Sequence, residues 1–248
     1  LAYNKNEIVS LADEEDLGIY SQNLKGMTGR YSDKRFVGKA VDSNWNLNTI
    51  GVWQLGEEEE AAKYGSVPGN FRIKDYNNDG KVTDDDYFID GKRTPDWTGG
   101  MTNLFNYKDF DLAFHMYFQM GAKQYDQFFN NFALEWNSQS FNNLRTNYWT
   151  PENPSNTMGR PSNMGSRGNI AYSKTDFLKI SYITLGYSIN RKLLGDWGLS
   201  NARIYMTIQN PLILTKFRGL DPEQPSITNI GDTDGMTMNT LLGINVSF

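Results

Sequence analysis

Hydrophobic residues in this chain recur at every second position rather than at helical spacing. In "DLAFHMYFQMG" Leu112, Phe114, Met116, Phe118 and Met120 alternate with Asp111, Ala113, His115, Tyr117 and Gln119. A period of two places one set on each face of a β-strand. "ARIYMTIQN" repeats the pattern, with Ile204, Met206 and Ile208 set against Arg203, Tyr205, Thr207 and Gln209. In "LLGINVSF" Leu242, Ile244, Val246 and Phe248 oppose Gly243, Asn245 and Ser247. "FLKISYITLGYSI" also alternates, but its apolar parity switches between Tyr182 and Ile183, which predicts a bulge there. The fold class read from this is all-β and antiparallel.

A soluble sandwich and a membrane barrel both alternate, so the polar faces and the connections decide between them. In a sandwich the apolar faces pack on each other; in an outer-membrane barrel they meet lipid while the polar faces line a lumen. Strand ends carry aromatics in "NYKDFDL", "LGYSI", "TKF" and the final Phe248, as interfacial girdles do. Connections alternate between short and long: Lys108 to Phe110, then about fifty residues from Gly121, roughly ten around "NRKLLGDWGLS", and over twenty from Arg218. This rhythm is that of periplasmic turns and extracellular loops, and it favours a transmembrane antiparallel β-barrel. On that reading Asp111, His115, Tyr117, Gln119, Arg203, Tyr205, Thr207, Gln209 and Asn245 face the lumen. A secreted, soluble all-β module that is stiffened by calcium and binds carbohydrate or protein is the alternative.

Composition removes other classes. Only 38% of the 248 residues are apolar and no run of eighteen apolar residues exists, so no helix is expected to cross a membrane; strands are untouched by that test. A net charge of -5 without a dense Lys/Arg cluster excludes nucleic acid as a partner. With 0 cysteines there are no disulfides, thiol nucleophiles or cysteine metal sites. His115 is the 1 histidine and has no nucleophile motif nearby, while the acids gather in "ADEED", "GEEEEAA" and one loop. An enzyme is therefore not expected. "LAYNKNEIVSL" has neither Met nor a signal pattern and reads as though taken from within a longer chain.

The acidic loop is "DYNNDGKVTDDD", 75–86. An EF-hand-type calcium loop takes oxygens from positions 1, 3, 5, 7, 9 and 12 and needs Gly at 6. Those places hold Asp75, Asn77, Asp79, Lys81 through its carbonyl, Thr83 and Asp86, with Gly80 at the turn. Asp86 replaces the usual final Glu and is shorter, which predicts modest affinity and a structural calcium ion. The plainer reading is an Asp/Asn/Gly turn without metal. Gly and Pro on both sides argue against the paired helices of a calcium sensor.

Four segments, in order, resemble one family. They are "GVWQLGEEEEAAKYGSVPGNFRIKDYNNDGKVTDDDYFIDGKRTPDWTGGMTNLFNYKDFDL", "YSKTDFLKISYITLGYSI", "RIYMTIQNPLILTKFRGLDPE" and "LLGINVSF". Together they are similar to the C-terminal quarter of SusC/RagA-type TonB-dependent outer-membrane transporters. The resemblance implies that 1–248 supplies about the last six strands of a 22-stranded barrel, plus the tail of another strand at Leu1 to Asn4. The long connection 12–97, with its calcium loop, would then lie outside the cell. It implies as partners the remaining barrel and plug, a SusD-like surface lipoprotein, the TonB energy-transducing complex through an N-terminal part, membrane lipid, and a glycan or peptide substrate. Gly243, Val246 and Phe248 resemble the barrel-assembly signal, although Leu241 stands where a polar residue is usual. The loop "QYDQFFNNFALEWNSQSFNNLRTNYWTPENP" carries Trp136, Tyr148 and Trp149 amid amides, which points to an extracellular interface with the lipoprotein.

Overall fold

A computed structural model describes residues 1–11, 18–20, 27–30, 35–134, 146–161, 165–190, 194, 198–225 and 237–248. The chain enters on β1 (Ala2–Tyr3) and passes through a small antiparallel sheet of β2 (Gly18–Tyr20), β3 (Met27–Arg30) and β4 (Arg35–Phe36). Two further strand pairs follow. β5 (Ser43–Leu47) pairs with β8 (Tyr87–Lys92), and β6 (Thr49–Val52) pairs with β7 (Phe71–Ile73). Helix α1 (Glu58–Lys63) lies between β6 and β7.

The long strands come next: β9 (Trp97–Tyr107) and β10 (Phe110–Met120), then, after the short pair β11 (Lys123–Tyr125) and β12 (Tyr172–Lys174), β13 (Phe177–Ser188), β14 (Asn201–Thr215) and β15 (Asn239–Ser247). They form one antiparallel sheet in the order β1-β9-β10-β13-β14-β15. Five of the six are long; β1 is the two-residue tail expected at the amino terminus and pairs with Trp97 and Thr98. Strands that follow each other in sequence lie side by side, as in an up-and-down wall.

The register confirms the alternation. Leu112, Phe114, Met116 and Phe118 are aligned with Leu185, Ile183, Ile180 and Leu178, and these with Met206, Ile208, Leu212 and Leu214. The expected irregularity is present, but the additional residue is Ser181, just before Tyr182. On the facing strand β14, Asn210 and Pro211 fall in the same break of the ladder as Ser181 of β13. Asn210 takes φ +49, a left-handed value that asparagine tolerates better than most residues, and Pro211 has no N–H to lose from the ladder.

Buried side chains are concentrated outside this sheet. One core joins Val52, Phe71, Phe129, Leu134, Trp149 and Met158. A smaller one stacks Phe36 on Trp45 at 4.7 Å and Trp45 on Tyr87 at 5.6 Å. The apolar face of the long strands is open instead: Phe105, Leu185, Ile204, Leu214, Leu242 and Ile244 are all exposed. Among the described residues no helix is long and apolar enough to cross a membrane.

Candidate transport wall and metal loop

The polar face gathers the residues read as lumen-facing. Asp111 aligns with Gly186, Gly186 with Tyr205, and Tyr205 with Gly243; His115 aligns with Tyr182 and Tyr182 with Gln209; Tyr117 aligns with Lys179 and Gln119 with Phe177. Arg203 aligns with Asn245 and Thr207 with Thr184. All therefore share one side of the sheet, opposite the aliphatic rows.

Cross-strand contacts organise that side. Arg203 grips Asp111 with two hydrogen bonds, Nε to Oδ1 at 2.8 Å and Nη2 to Oδ2 at 2.5 Å, the fork geometry that makes arginine–carboxylate pairs specific. A Cβ on Gly186 would run into both side chains, so glycine there lets the pair lie flat across the strand. Tyr205 lies in the same way over Gly243, whose Cβ would strike the phenol ring. At Gly243, read from the sequence as part of an assembly signal, the structure shows a packing duty. His115 Nδ1 is 2.8 Å from Thr102 Oγ1 and its ring stacks on Tyr182 at 5.9 Å. Thr184 and Thr207 join hydroxyls at 2.8 Å. Tyr182 and the two glycine slots escaped sequence reading, although glycine recurring at polar-face parity in β13 and β15 was the available signal.

The loop 75–86 joins β7 to β8 without flanking helices, as its Gly/Pro surroundings predict. Its polar side chains are fixed by loop amides in the order that a cation loop requires. Asp75 accepts from the N–H of Asn78 and Gly80, Asn77 from Asp79, and Asp79 from Lys81. Gly80 takes φ +81, a conformation for which glycine carries no steric penalty. Thr83 caps the 3-10 turn Asp84–Asp86 by accepting from Asp85, and Asp86 returns two bonds, from the N–H of Tyr76 at 2.7 Å and of Thr83 at 2.8 Å. Asp86 is fully buried and has no ion pair among the described residues. Its two N–H donors satisfy one lone pair on each oxygen, and the others are the ones a cation would take. The donor set fits calcium in kind and order. Among the described residues, however, no three His, Asp or Glu groups already converge as a cage.

The aromatics read as an interface are placed differently. Trp149 is buried in the larger core, donating Nε1 to Gln54 Oε1 at 2.9 Å, and is not on a free surface. Tyr148 is half-buried and donates its hydroxyl to Ala133 O. Trp136 lies outside the described residues. Val246 is exposed on the aliphatic side opposite Ala202, and Phe248 is 90% exposed beyond the end of β15.

A clasp that the sequence did not reveal binds two connections together. Arg218, past the end of β14, donates to Ser173 Oγ and Ile170 O and lies 3.7 Å over the Phe129 ring. Ser173 in turn reaches Asp126, which also accepts from Phe129 N–H at 2.9 Å. Burial pushes the Asp126 carboxyl above the usual carboxylate range and draws Arg218 below its own.

Comparison with known proteins agrees with this wall-and-loop arrangement. TonB-dependent receptor P3 of Formosa agariphila is 31% identical over 262 residues, which takes in 99% of this chain and 26% of the receptor. The chain is homologous to a quarter of a SusC-type TonB-dependent receptor. TonB-dependent receptor SusC of Bacteroides thetaiotaomicron is 28% identical, with 100% of this chain and 24% of SusC covered. The RagAB peptide importer in its open-open state superimposes on 99% of the chain and 26% of its own with a TM-score of 0.66, at 20% identity. No family model matches the chain. This receptor homologue thus spans about a quarter of the length of the curated relatives it matches. The curated relatives it matches are receptors rather than enzymes.

Proposed function

We propose that this chain is wall and outer rim of a closed, TonB-dependent outer-membrane barrel that imports a glycan or peptide nutrient. It supplies about the last six strands of 22. The two edges of the main sheet that carry no neighbour among the described residues, along β9 and β15, are where the rest of the barrel joins. In hydrocarbon each unsatisfied backbone group on such an edge costs several kcal/mol, so closure is obligatory.

One observation carries the reading: the apolar face of the long strands is bounded by aromatics at both ends and stands open among the described residues. Tyr107, Phe110 and Tyr187 lie at one end, and Trp97, with Tyr3 stacked on it at 4.6 Å, at the other. β9 has 11 residues. At about 3.3 Å per residue and a tilt of roughly 40°, it rises on the order of 25 Å, the height of an outer-membrane apolar band.

The polar face then lines the lumen, where Asp111, His115, Arg203 and Tyr205 meet the plug or passing solute. The connections bearing the 75–86 loop stand outside the cell, against a SusD-like lipoprotein. Energy arrives from the TonB complex through the plug. Gly243, Val246 and Phe248 serve as the barrel-assembly signal. Calcium, held by Asp75, Asn77, Asp79, the Lys81 carbonyl, Thr83 and Asp86, draws the outer loop closed and stiffens it where little core is available.

Native mass spectrometry of the particle extracted from outer membranes in mild detergent tests this. A mass far above that of the chain, with barrel, plug and lipoprotein peptides, is expected; a detergent-independent particle of the chain's own mass in the soluble fraction would refute it. For the loop, a chelator should lower the melting temperature of the full receptor and added calcium should restore it. Asp79→Ala should abolish that response.

A further inference from the structure

The liganding side chains of the 75–86 loop are held from within it, with one exception. Asp75 Oδ1 accepts from the Asn78 N–H at 2.6 Å, and Asp75 Oδ2 from the Gly80 N–H at 2.9 Å. Oδ2 also accepts from the hydroxyl of Tyr64 at 3.3 Å. Among the described residues Tyr64 is the one residue outside the loop whose hydrogen bond reaches a liganding side chain. Asn48 comes in as well, but it stops at the Tyr76 hydroxyl at 3.1 Å, which is no ligand. The Tyr64 bond also distinguishes the two oxygens of Asp75. Oδ2 carries two donors and Oδ1 one, so Oδ1 is the oxygen that keeps a lone pair for a cation.

Tyr64 is itself fixed from the other side. It is the C-cap residue of α1, with its N–H on Ala61 O at 3.1 Å. Its ring stacks on Trp53, with centroids 5.9 Å apart and planes inclined by 29°. Trp53 is buried, and the Arg72 guanidinium lies 4.3 Å over its ring. Arg72 Nη1 reaches Glu57 Oε1 at 3.3 Å, and Glu57 is the N-cap residue of α1. A line of contacts therefore joins the first position of the loop to both ends of this helix. With 6 residues α1 is too short to be stable alone, so its order depends on what it packs against.

We propose that Tyr64 is a positioning residue of the calcium loop: its hydroxyl occupies Asp75 Oδ2, leaves Oδ1 for the cation, and transmits occupancy of the loop to α1. This rests on the calcium reading above. The ion's support then extends to an aromatic outside the twelve-residue pattern, and its effect to a helix outside the loop. A hydrogen bond behind a metal ligand changes metal affinity by about 10- to 100-fold. Here the bond is 3.3 Å long and shares its oxygen with the Gly80 N–H, so the expected effect is at the lower end, roughly tenfold. Linkage makes it reciprocal: if a placed Tyr64 favours calcium, calcium favours a placed Tyr64 and the helix that it caps.

The test uses the full-length receptor in nanodiscs, titrated calorimetrically with calcium alone, and hydrogen exchange of the 61–66 amides with and without calcium. Tyr64→Phe keeps the ring on Trp53 and removes only the hydroxyl. It should weaken calcium binding roughly tenfold. It should leave exchange of 61–66 in the calcium-free receptor as slow as in wild type, and remove the added protection that calcium gives wild type there. Asn48→Ala, which removes the hydrogen bond that stops short of the ligands, should leave calcium affinity unchanged. Equal or tighter binding in Tyr64→Phe, an equal loss in Asn48→Ala, faster exchange in calcium-free Tyr64→Phe, or wild-type protection of 61–66 that ignores calcium would each overturn the proposal and leave the calcium loop standing. Asp79→Ala separates the two readings: if it titrates like wild type, the loop holds no calcium and both fall.

Discussion

If the aliphatic face of the long strands meets lipid, the penalty for a charge on it must depend on depth. β13 offers a graded series on that face: Leu178, Ile180, Ile183, Leu185 and Tyr187, aligned with Phe118, Met116, Phe114, Leu112 and Phe110. Because Ser181 bulges, distance is better counted on β10, where Phe114 is four residues from both Phe118 and Phe110. Four residues at about 3.3 Å make roughly 13 Å along the strand and about 10 Å along the membrane normal at a tilt near 40°. Ile183 is then at the midplane, with Leu178 and Tyr187 close to the two interfaces. Arginine costs about 2–4 kcal/mol at the midplane and about 0–1 kcal/mol near an interface. The series Leu178→Arg, Ile180→Arg, Ile183→Arg, Leu185→Arg and Tyr187→Arg should therefore trace a peak centred on Ile183, with a contrast of about 2–3 kcal/mol. Reversible urea unfolding of the full receptor in short-chain phosphatidylcholine liposomes, followed by tryptophan fluorescence, gives these values. A sandwich core buries charge at similar cost along its length. A flat profile, or one peaking at Leu178 or Tyr187, would refute the lipid-facing assignment.

Further outcomes follow from the packing. Gly243→Val drives a side chain into the Tyr205 ring and should cost about 1–3 kcal/mol in the same assay, with Gly243→Val/Tyr205→Ala costing less than the sum of the single changes. Trp149→Ala should destabilise the outer connections by about 3–5 kcal/mol, read as faster proteolysis between 50 and 160 while the strands stay protected. The buried Asp126 holds its proton more tightly in the fold than in the unfolded chain, so its contribution to stability is full below the ordinary value of 3.8 and is lost as pH rises through the elevated one. Hydrogen exchange of the Phe129 and Asn130 amides, corrected for intrinsic rate, should accordingly show stronger protection at acid pH, and Asp126→Asn should remove that dependence.

What could be read from the sequence was what is encoded locally. The strand faces were legible because a period of two is a property of neighbouring residues, and the register keeps the predicted sides. The bulge was legible only to within a residue or two. Parity reveals a slip when apolar residues resume at Ile183, whereas the ladder breaks at Ser181. The turn at 75–86 is local as well: most of its hydrogen bonds run between its own residues, although the Tyr64 hydroxyl also reaches Asp75 and Asn48 reaches Tyr76. Trp149 was not legible. Whether a tryptophan among amides points outward depends on Gln54, 95 positions earlier in the chain. The Arg218 clasp likewise arises where distant loops meet, and it leaves no periodic trace.

The most direct test of the central claim is nitroxide scanning of the full receptor in liposomes at Tyr182, Ile183, Thr184 and Leu185, read by accessibility to oxygen and to a water-soluble nickel complex. Labels at Ile183 and Leu185 should favour oxygen, and those at Tyr182 and Thr184 the nickel complex. Loss of that alternation, with the aliphatic positions shielded from both reagents, would mean that this face packs against protein and that the chain is not a membrane wall.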